Sequence, residues 1–275
     1  MKYKKFLIVA SKLDKAGINM TTQLSQFQNI SNEDDSRNFR FYLIDDEIIR
    51  TENLDIEIIN QADFVVFVSK HVAKEGKKTL SVHAPGNWRE ADFGGQPRKV
   101  CKTSAFFMKQ AFEQIDKNMK EYGLKDYDLT LEATHHGPLI DKPCVFMEIG
   151  PTEIEWADKR AGFIMARAIT DTILNFKENE YNEIAIAIGG PHYCPNFNKL
   201  QLKSNIAISH VIPQYAFPLT EEMVKEALGK TDEEVDLAVL DWKGLGNSEQ
   251  RKQILEVLDN CYVRCQKTSE VGKNE

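Results

Sequence analysis

Two short runs in this chain, Val65–Val68 and Ile184–Ile188, are apolar at every position, and they constrain the fold more than any other feature. A strand with one face in water alternates apolar and polar residues. A strand covered on both faces has no such need, so continuous runs of this length predict a sheet sandwiched between helices. Other strand-like segments are Phe6–Ala10, FRFYLI (39–44), TLSVHA (79–84), DLTLEA (128–133), CVFMEI (144–149), NIAISHVI (205–212) and VDLAVL (235–240). Helical patterns separate them over Ala16–Phe27, Ser104–Glu121, Glu153–Phe176, TEEMVKEALG (220–229) and SEQRKQILEVLDN (248–260). Ala157, Ala161, Ile164 and Ala168 make a stripe along the longest of these helices, and Thr152 with Glu155 marks its start as a capping box. Alternating strands and helices predict an α/β fold with a mostly parallel sheet flanked by helices. No repeat or linker divides residues 1–275, so a single domain is expected. SNEDDSRN (31–38) reads as a surface loop, and residues 83–99 as a long ordered one.

The histidines fall in or just after these runs. His71 follows FVVFVSK, His83 ends TLSV, His135 and His136 follow DLTLEAT, His192 follows IAIAIGGP, and His210 lies in NIAISH. Ligands of open α/β sheets bind outside the carboxyl ends of the strands, where residues far apart in sequence converge. Imidazole suits both proton transfer near neutral pH and binding of divalent metal. A histidine-lined crevice is the expectation.

The formal net charge of −7 argues against loose binding of DNA or any other nucleic acid by charge alone. Local basic clusters are still present: Lys2, Lys4 and Lys5; Lys70, Lys74, Lys77 and Lys78; Arg98, Lys99 and Lys102. Their bland reading is a solvated face. No apolar stretch approaches the ~20 residues that cross a bilayer. The cysteines, odd in number and without a regular framework, read as reduced, with Cys261 and Cys265 four apart on a terminal helix. A cytoplasmic monomer is expected.

Four constellations can carry chemistry. His135-His136-Gly137-Pro138 places two imidazoles before a turn, which suits a zinc site, an acid/base pair, or one functional histidine beside a capping one. Gly189-Gly190-Pro191-His192-Tyr193-Cys194 offers close backbone approach, N–H donors for an oxyanion, and nitrogen and sulfur ligands; it is also what a tight turn looks like. Glu148-Ile149-Gly150-Pro151-Thr152-Glu153 carries a carboxylate out of a buried strand into a helix start, where an ammonium or metal fits better than phosphate. Glu148 is the candidate general base. His83 opens the long loop ahead of Asn87 and Trp88, and the indole either stacks on a base or pins the loop. His71, among lysines, reads as a surface residue, and His210 as a satisfied core one. Phosphate-loop, nucleophile-elbow and His-Glu-x-x-His signatures are missing, as are paired Cys-x-x-Cys motifs.

Taken together, the segments 132–138, 148–156 and 189–195, with FLIVASKLDKAG at the start, SVHAPGN and the FGG of 93–95, resemble the D-aminoacyl-tRNA deacylases of the archaeal and plant type. The similarity keeps its order through nearly the whole chain. Pro151 departs from the small residue expected there, which helix starts tolerate. The resemblance implies a fold similar to the phosphorylase/peptidyl-tRNA hydrolase group and zinc-dependent hydrolysis of the ester between a D-amino acid and the 3′ end of tRNA.

Under that reading, His135, His136 and His192 are metal ligands or acid/base groups, and Glu148 activates water or binds the substrate ammonium. Gly189 and Gly190 supply oxyanion donors. Thr152, Glu153, His83 and Asn87 complete the substrate site, while Lys74, Lys77, Lys78, Arg98 and Lys99 contact tRNA. Two other readings compete. One is a nucleoside phosphorylase or nucleosidase, with Glu148 on ribose hydroxyls. The other is a non-catalytic tRNA-binding module whose histidines only order loops.

Overall fold

The computed structural model describes residues 2–27, 38–51, 54, 56–73 and 76–271. Lys74 and residues 31–37 of the SNEDDSRN segment lie outside them. The strands are β1 (Lys5–Ser11), β2 (Asn38–Ile44), β3 (Phe64–Lys70), β4 (Thr79–His83), β5 (Asp128–Leu131), β6 (Cys144–Gly150), β7 (Glu183–Ile188), β8 (Ile206–Ile212), β9 (Leu237–Leu240) and β10 (Cys265–Lys267). The helices are α1 (Lys15–Leu24), α2 (Ile56–Asn60), α3 (Ala105–Glu121), α4 (Glu153–Trp156), α5 (Lys159–Asn175), α6 (Pro195–Lys203), α7 (Glu221–Gly229) and α8 (Ser248–Asn260).

The fold is α/β, as the alternation predicts, but the strands divide between two sheets. One has the order β2-β1-β3-β6-β4-β5 and the other β10-β9-β7-β8. Among the described residues, every pairing between these strands is parallel except β4 with β6. That step reverses β4 and β5 against the rest of their sheet, the antiparallel exception in a mostly parallel architecture, and it matters for the site. Helix α3 packs on β4 and β5 of one sheet and on β8 of the other. The largest core accordingly takes Val66, Val145 and Met147 from the first sheet and Ala187, Ile208 and Val239 from the second.

Alternation along the central strands decides which residues face this core. In β6, Val145, Met147 and Ile149 enter it, while Cys144 and Phe146 enter a smaller cluster on the opposite face. In β3, Val66 and Val68 face the large core, whereas Val65 and Phe67 face the smaller one. Phe146 stacks on Phe67 at 4.7 Å and lies against the ring of His83 at 5.3 Å. Truncating a buried phenylalanine of this kind to alanine costs about 3–5 kcal/mol. By the same parity, Ser69, Ser81, His83 and Glu148 emerge on the Phe146 face.

Two local expectations change. The helix predicted over Glu153–Phe176 is broken after Trp156: Asp158 accepts from Arg160 N–H at 2.9 Å and starts α5, while the Asn19 amide holds the carbonyls of Trp156 and Asp158. Cys261 and Cys265 do not share a helix, because Cys261 caps α8 and Cys265 opens β10.

Candidate active site

A cleft of about 490 Å³ opens on the Phe146 face, at the carboxyl ends of β1, β3 and β6. Ser11, Leu13 and Asp14 line one side, Ile48, Ile49, Arg50 and Phe93 another, and Ser69, His71, His135, His136, Glu148 and His192 the floor. The floor is the meeting point of both sheets. Ala133 N–H donates to the His192 carbonyl at 2.9 Å, and Thr134 N–H to Val211 at 3.1 Å, so the loop after β5 is stitched to the second sheet.

Glu148 is flanked in register by Ser69 on β3 and Ser81 on β4. Ser69 donates its hydroxyl to Glu148 Oε1 at 2.5 Å. Glu148 Oε2 lies 3.6 Å from both His71 Nδ1 and His83 Nε2, and His136 Nε2 stands 3.9 Å from Oε1. Behind it, Glu132 is fully buried and gathers a second set of imidazoles: His71 Nδ1 at 3.1 Å, His192 Nε2 at 3.0 Å and His135 Nε2 at 3.6 Å.

The antiparallel step is what brings His83 here. Because β4 runs against β6, its last residue lies beside Phe146, within reach of Glu148 two residues further along. His135 and His136 reach one cluster because His136 turns the backbone at φ +46°, which brings the two ring centroids to 4.2 Å. His71 is only 6% exposed and bridges both glutamates, which corrects its reading as a surface residue. Room for its ring comes from Gly150, where an added β-carbon would lie 2.7 Å from His71 Cδ2.

The electrostatics are dominated by burial and mutual charge. Burial works against ionised Glu132 and Glu148, yet the imidazoles outweigh it: His192 and His71 hold Glu132 well below the carboxylate range, and His71 with His83 does the same for Glu148. Burial likewise opposes a charged His71, but the two glutamates carry its pKa up to about 11. His83 is raised against burial by Glu148. Burial and neighbouring imidazoles push His135 well down, and burial with His83 takes His136 to about 4. The floor therefore holds both neutral and protonated imidazoles around two carboxylates.

Among the described residues, three groups of side chains have ligand atoms within 4.8 Å of one another: His83, His135 and His136; His71, Glu132 and His192; and His83, Glu132 and Glu148. The sequence pointed to His83, His135, His136, Glu148 and His192, and the structure brings them together. It gave no role to Glu132 or Ser69. Glu132 carried a readable signal, a carboxylate near the end of an apolar strand run, as Glu148 is.

Other expected site residues lie elsewhere or are engaged. Gly189 N–H donates to Ile212 in the sheet at 2.8 Å, so it does not face an oxyanion. Gly190 does not line the cleft, and its carbonyl accepts from Gln214 N–H at 3.0 Å. Thr152 caps α4 and Glu153 pairs with Lys15 at 2.7 Å; neither lines the cleft. Asn87 donates to Gly94 at 2.8 Å, and buried Trp88 to Val211 at 3.0 Å, so both pin the loop. His210 is internal, held by Thr134 and Lys230. Lys77, Arg98 and Lys99 are exposed, Lys78 pairs with Asp126, and among the described residues Arg50 and Lys70 are the lysine and arginine side chains that line the cleft.

A family model described as D-aminoacyl-tRNA deacylase matches residues 58–266. A relative from Methanocaldococcus jannaschii, named D-aminoacyl-tRNA deacylase, is 34% identical over 258 residues, covering 91% of this chain and 94% of its own. One from Archaeoglobus fulgidus with the same name is 32% identical and covers 98% of both chains. A crystal structure described as a conserved protein of unknown function superposes with a TM-score of 0.88 at 29% identity, covering 100% of this chain and 99% of that one.

Proposed function

The chain belongs to the D-aminoacyl-tRNA deacylase family, and from that premise we propose that its cleft hydrolyses the ester joining a D-amino acid to the 3′ end of tRNA. The observation that carries the reading is a buried Glu148 at the floor of an open cleft, ringed by imidazoles that favour its charged form. Ester hydrolysis needs a base for the attacking water, positive charge near the oxyanion, and a proton for the departing ribose oxygen. The floor supplies groups of each kind. With this reading go the proposals that residues 1–275 act as one domain and a monomer in the cytoplasm.

The residues fit a divalent metal ion. His83 Nε2 is buried without a hydrogen-bond partner. The Nδ1 atoms of His83, His135 and His136 each lie beside a backbone carbonyl, at 3.2, 2.8 and 2.7 Å. A proton held there leaves the lone pair on Nε2, the arrangement by which metal-binding imidazoles are oriented. Imidazole and carboxylate donors suit zinc. His83, His135 and His136 would hold one ion, and His71, Glu132 and His192 form a second donor group. Bound zinc supplies a lowered pKa for water and polarises the ester carbonyl.

The chain's own groups do the rest. Glu148 takes the proton of the attacking water, with Ser69 fixing one of its oxygens. Glu132 aligns His71 and His192 from behind. His192, lining the cleft with Tyr215 on its Nδ1 at 3.1 Å, donates the proton to the departing oxygen. Exposed Lys77, Arg98 and Lys99 are the proposed contacts to the tRNA backbone.

Matched D- and L-tyrosyl-tRNA, offered to metal-analysed protein with and without a chelator, test this. Release from the D-ester alone, lost with chelator and restored by zinc, is expected. D-selective release that survives verified metal removal would discard the zinc chemistry but keep the activity. No release from either ester would discard the activity.

A further inference from the structure

The long loop between β4 and α3 treats its two aromatic residues in opposite ways. Trp88 is turned inside, 5% exposed, with its indole N–H on the Val211 carbonyl. Phe93 is 58% exposed and stands on the rim of the cleft that His135, His136 and Glu148 floor. This exposure is not that of a loose loop. The Phe93 carbonyl accepts from Gly137 N–H at 3.0 Å, next to His136. Gly94 follows at φ +80°, so close to the Ile49 carbonyl that a β-carbon would lie 1.8 Å from its oxygen. Asn87 holds the Gly94 carbonyl from the other side at 2.8 Å. An apolar ring is thus fixed in water, where it adds nothing to the core. Its ring meets the Arg50 guanidinium at 5.5 Å, and Arg50 in turn donates to Asp92 at 3.2 Å.

We propose that Phe93, backed by Arg50, seats the terminal adenine of the tRNA 3′ end. The inference rests on the deacylase reading, which puts the ester carbonyl at Glu148. One arm of that ester leads through a single ribose to the adenine, and the other to the amino acid. A rigid aromatic face beside a planar cation suits the first arm, since every base has a π-face and stacking needs no match of hydrogen-bonding edges. The Arg50 guanidinium, 3.7 Å from Glu47 Oε2, keeps the ring backed by a cation on this wall of the cleft. The opposite wall, with Leu13 and Asp14, is left to the amino acid.

The test measures binding of the trinucleotide CCA and of free D-tyrosine by calorimetry, and KM for D-tyrosyl-tRNA. It compares wild type with Phe93→Ala and Phe93→Trp. Phe93→Ala is expected to weaken CCA by about tenfold or more. KM should rise in proportion with kcat largely kept, and Phe93→Trp should restore both. Unchanged CCA affinity would overturn the proposal, and so would loss of D-tyrosine affinity in place of CCA affinity. Wild type that binds CCA through Phe93 but releases no D-tyrosine would leave the stacking site standing and remove the deacylase reading instead.

Discussion

Gly150 closes β6 against the ring of His71, so tightly that a β-carbon there would lie 2.7 Å from Cδ2 and 2.9 Å from Cβ of the histidine. His71 holds its place between Glu132 and Glu148 only because this position has no side chain. Gly150→Ala is expected to leave the fold intact and lower kcat by about 10²-fold, the scale on which a misplacement near 1 Å acts. Far-ultraviolet circular dichroism with steady-state deacylation would check both halves.

Glu148 and Ser69 should separate in kinetics. Glu148→Gln keeps the shape of the side chain but removes the base, and a loss of about 10²–10⁴ in kcat is expected. Ser69→Ala removes only one hydrogen bond to that carboxylate, so a loss nearer tenfold is expected. Equal losses in the two variants would mean that Glu148 acts through position and not through its proton affinity.

Zinc content provides a readout independent of activity. His83→Ala, His135→Ala and His136→Ala each remove a donor from one group, and each should lower bound zinc measured by elemental analysis of dialysed protein. Thr152→Ala disturbs only the start of α4 and should retain wild-type zinc. Full zinc in all three histidine variants would exclude this donor group.

His210 gives a pH dependence away from the cluster. Burial lowers its pKa from 6.5 to about 4. Above pH 6.5 it is neutral in both the folded and unfolded states. As pH falls below 6.5 the unfolded chain binds the proton first, so this stabilisation is lost progressively down to about pH 4. Between pH 7 and pH 5 the loss is about 2 kcal/mol. The stability gap between wild type and His210→Gln, read from urea unfolding, should narrow by that amount over this range. A constant gap would show that the imidazole titrates in the fold as it does in the unfolded chain, and a widening gap that the fold holds it protonated.

Exposed cations should report tRNA contact through salt. If Arg98 and Lys99 touch phosphates, the double alanine variant should flatten the plot of log affinity against log salt by about 0.7–0.9 per lost contact. An unchanged slope would move the tRNA path to other residues.

Local composition was enough to establish the strand runs, their alternation with helices, the capping box at Thr152, and the placement of histidines at strand ends. Each depends on neighbours a few residues away, which the sequence displays directly. Strand direction does not. A run buried on both faces reads the same whether its partner is parallel or antiparallel, so the reversal of β4 that sets His83 beside Glu148 was invisible. The burial of His71 depends on Gly150, nearly eighty residues later, and the gathering of imidazoles by Glu132 joins three strands and two sheets. The sequence alone determined which chemical groups this protein has and that they leave its strands near their ends. Only the tertiary structure decided which of them meet, because pairing direction, register and close approach are contacts between distant segments, set by the packing of the whole fold.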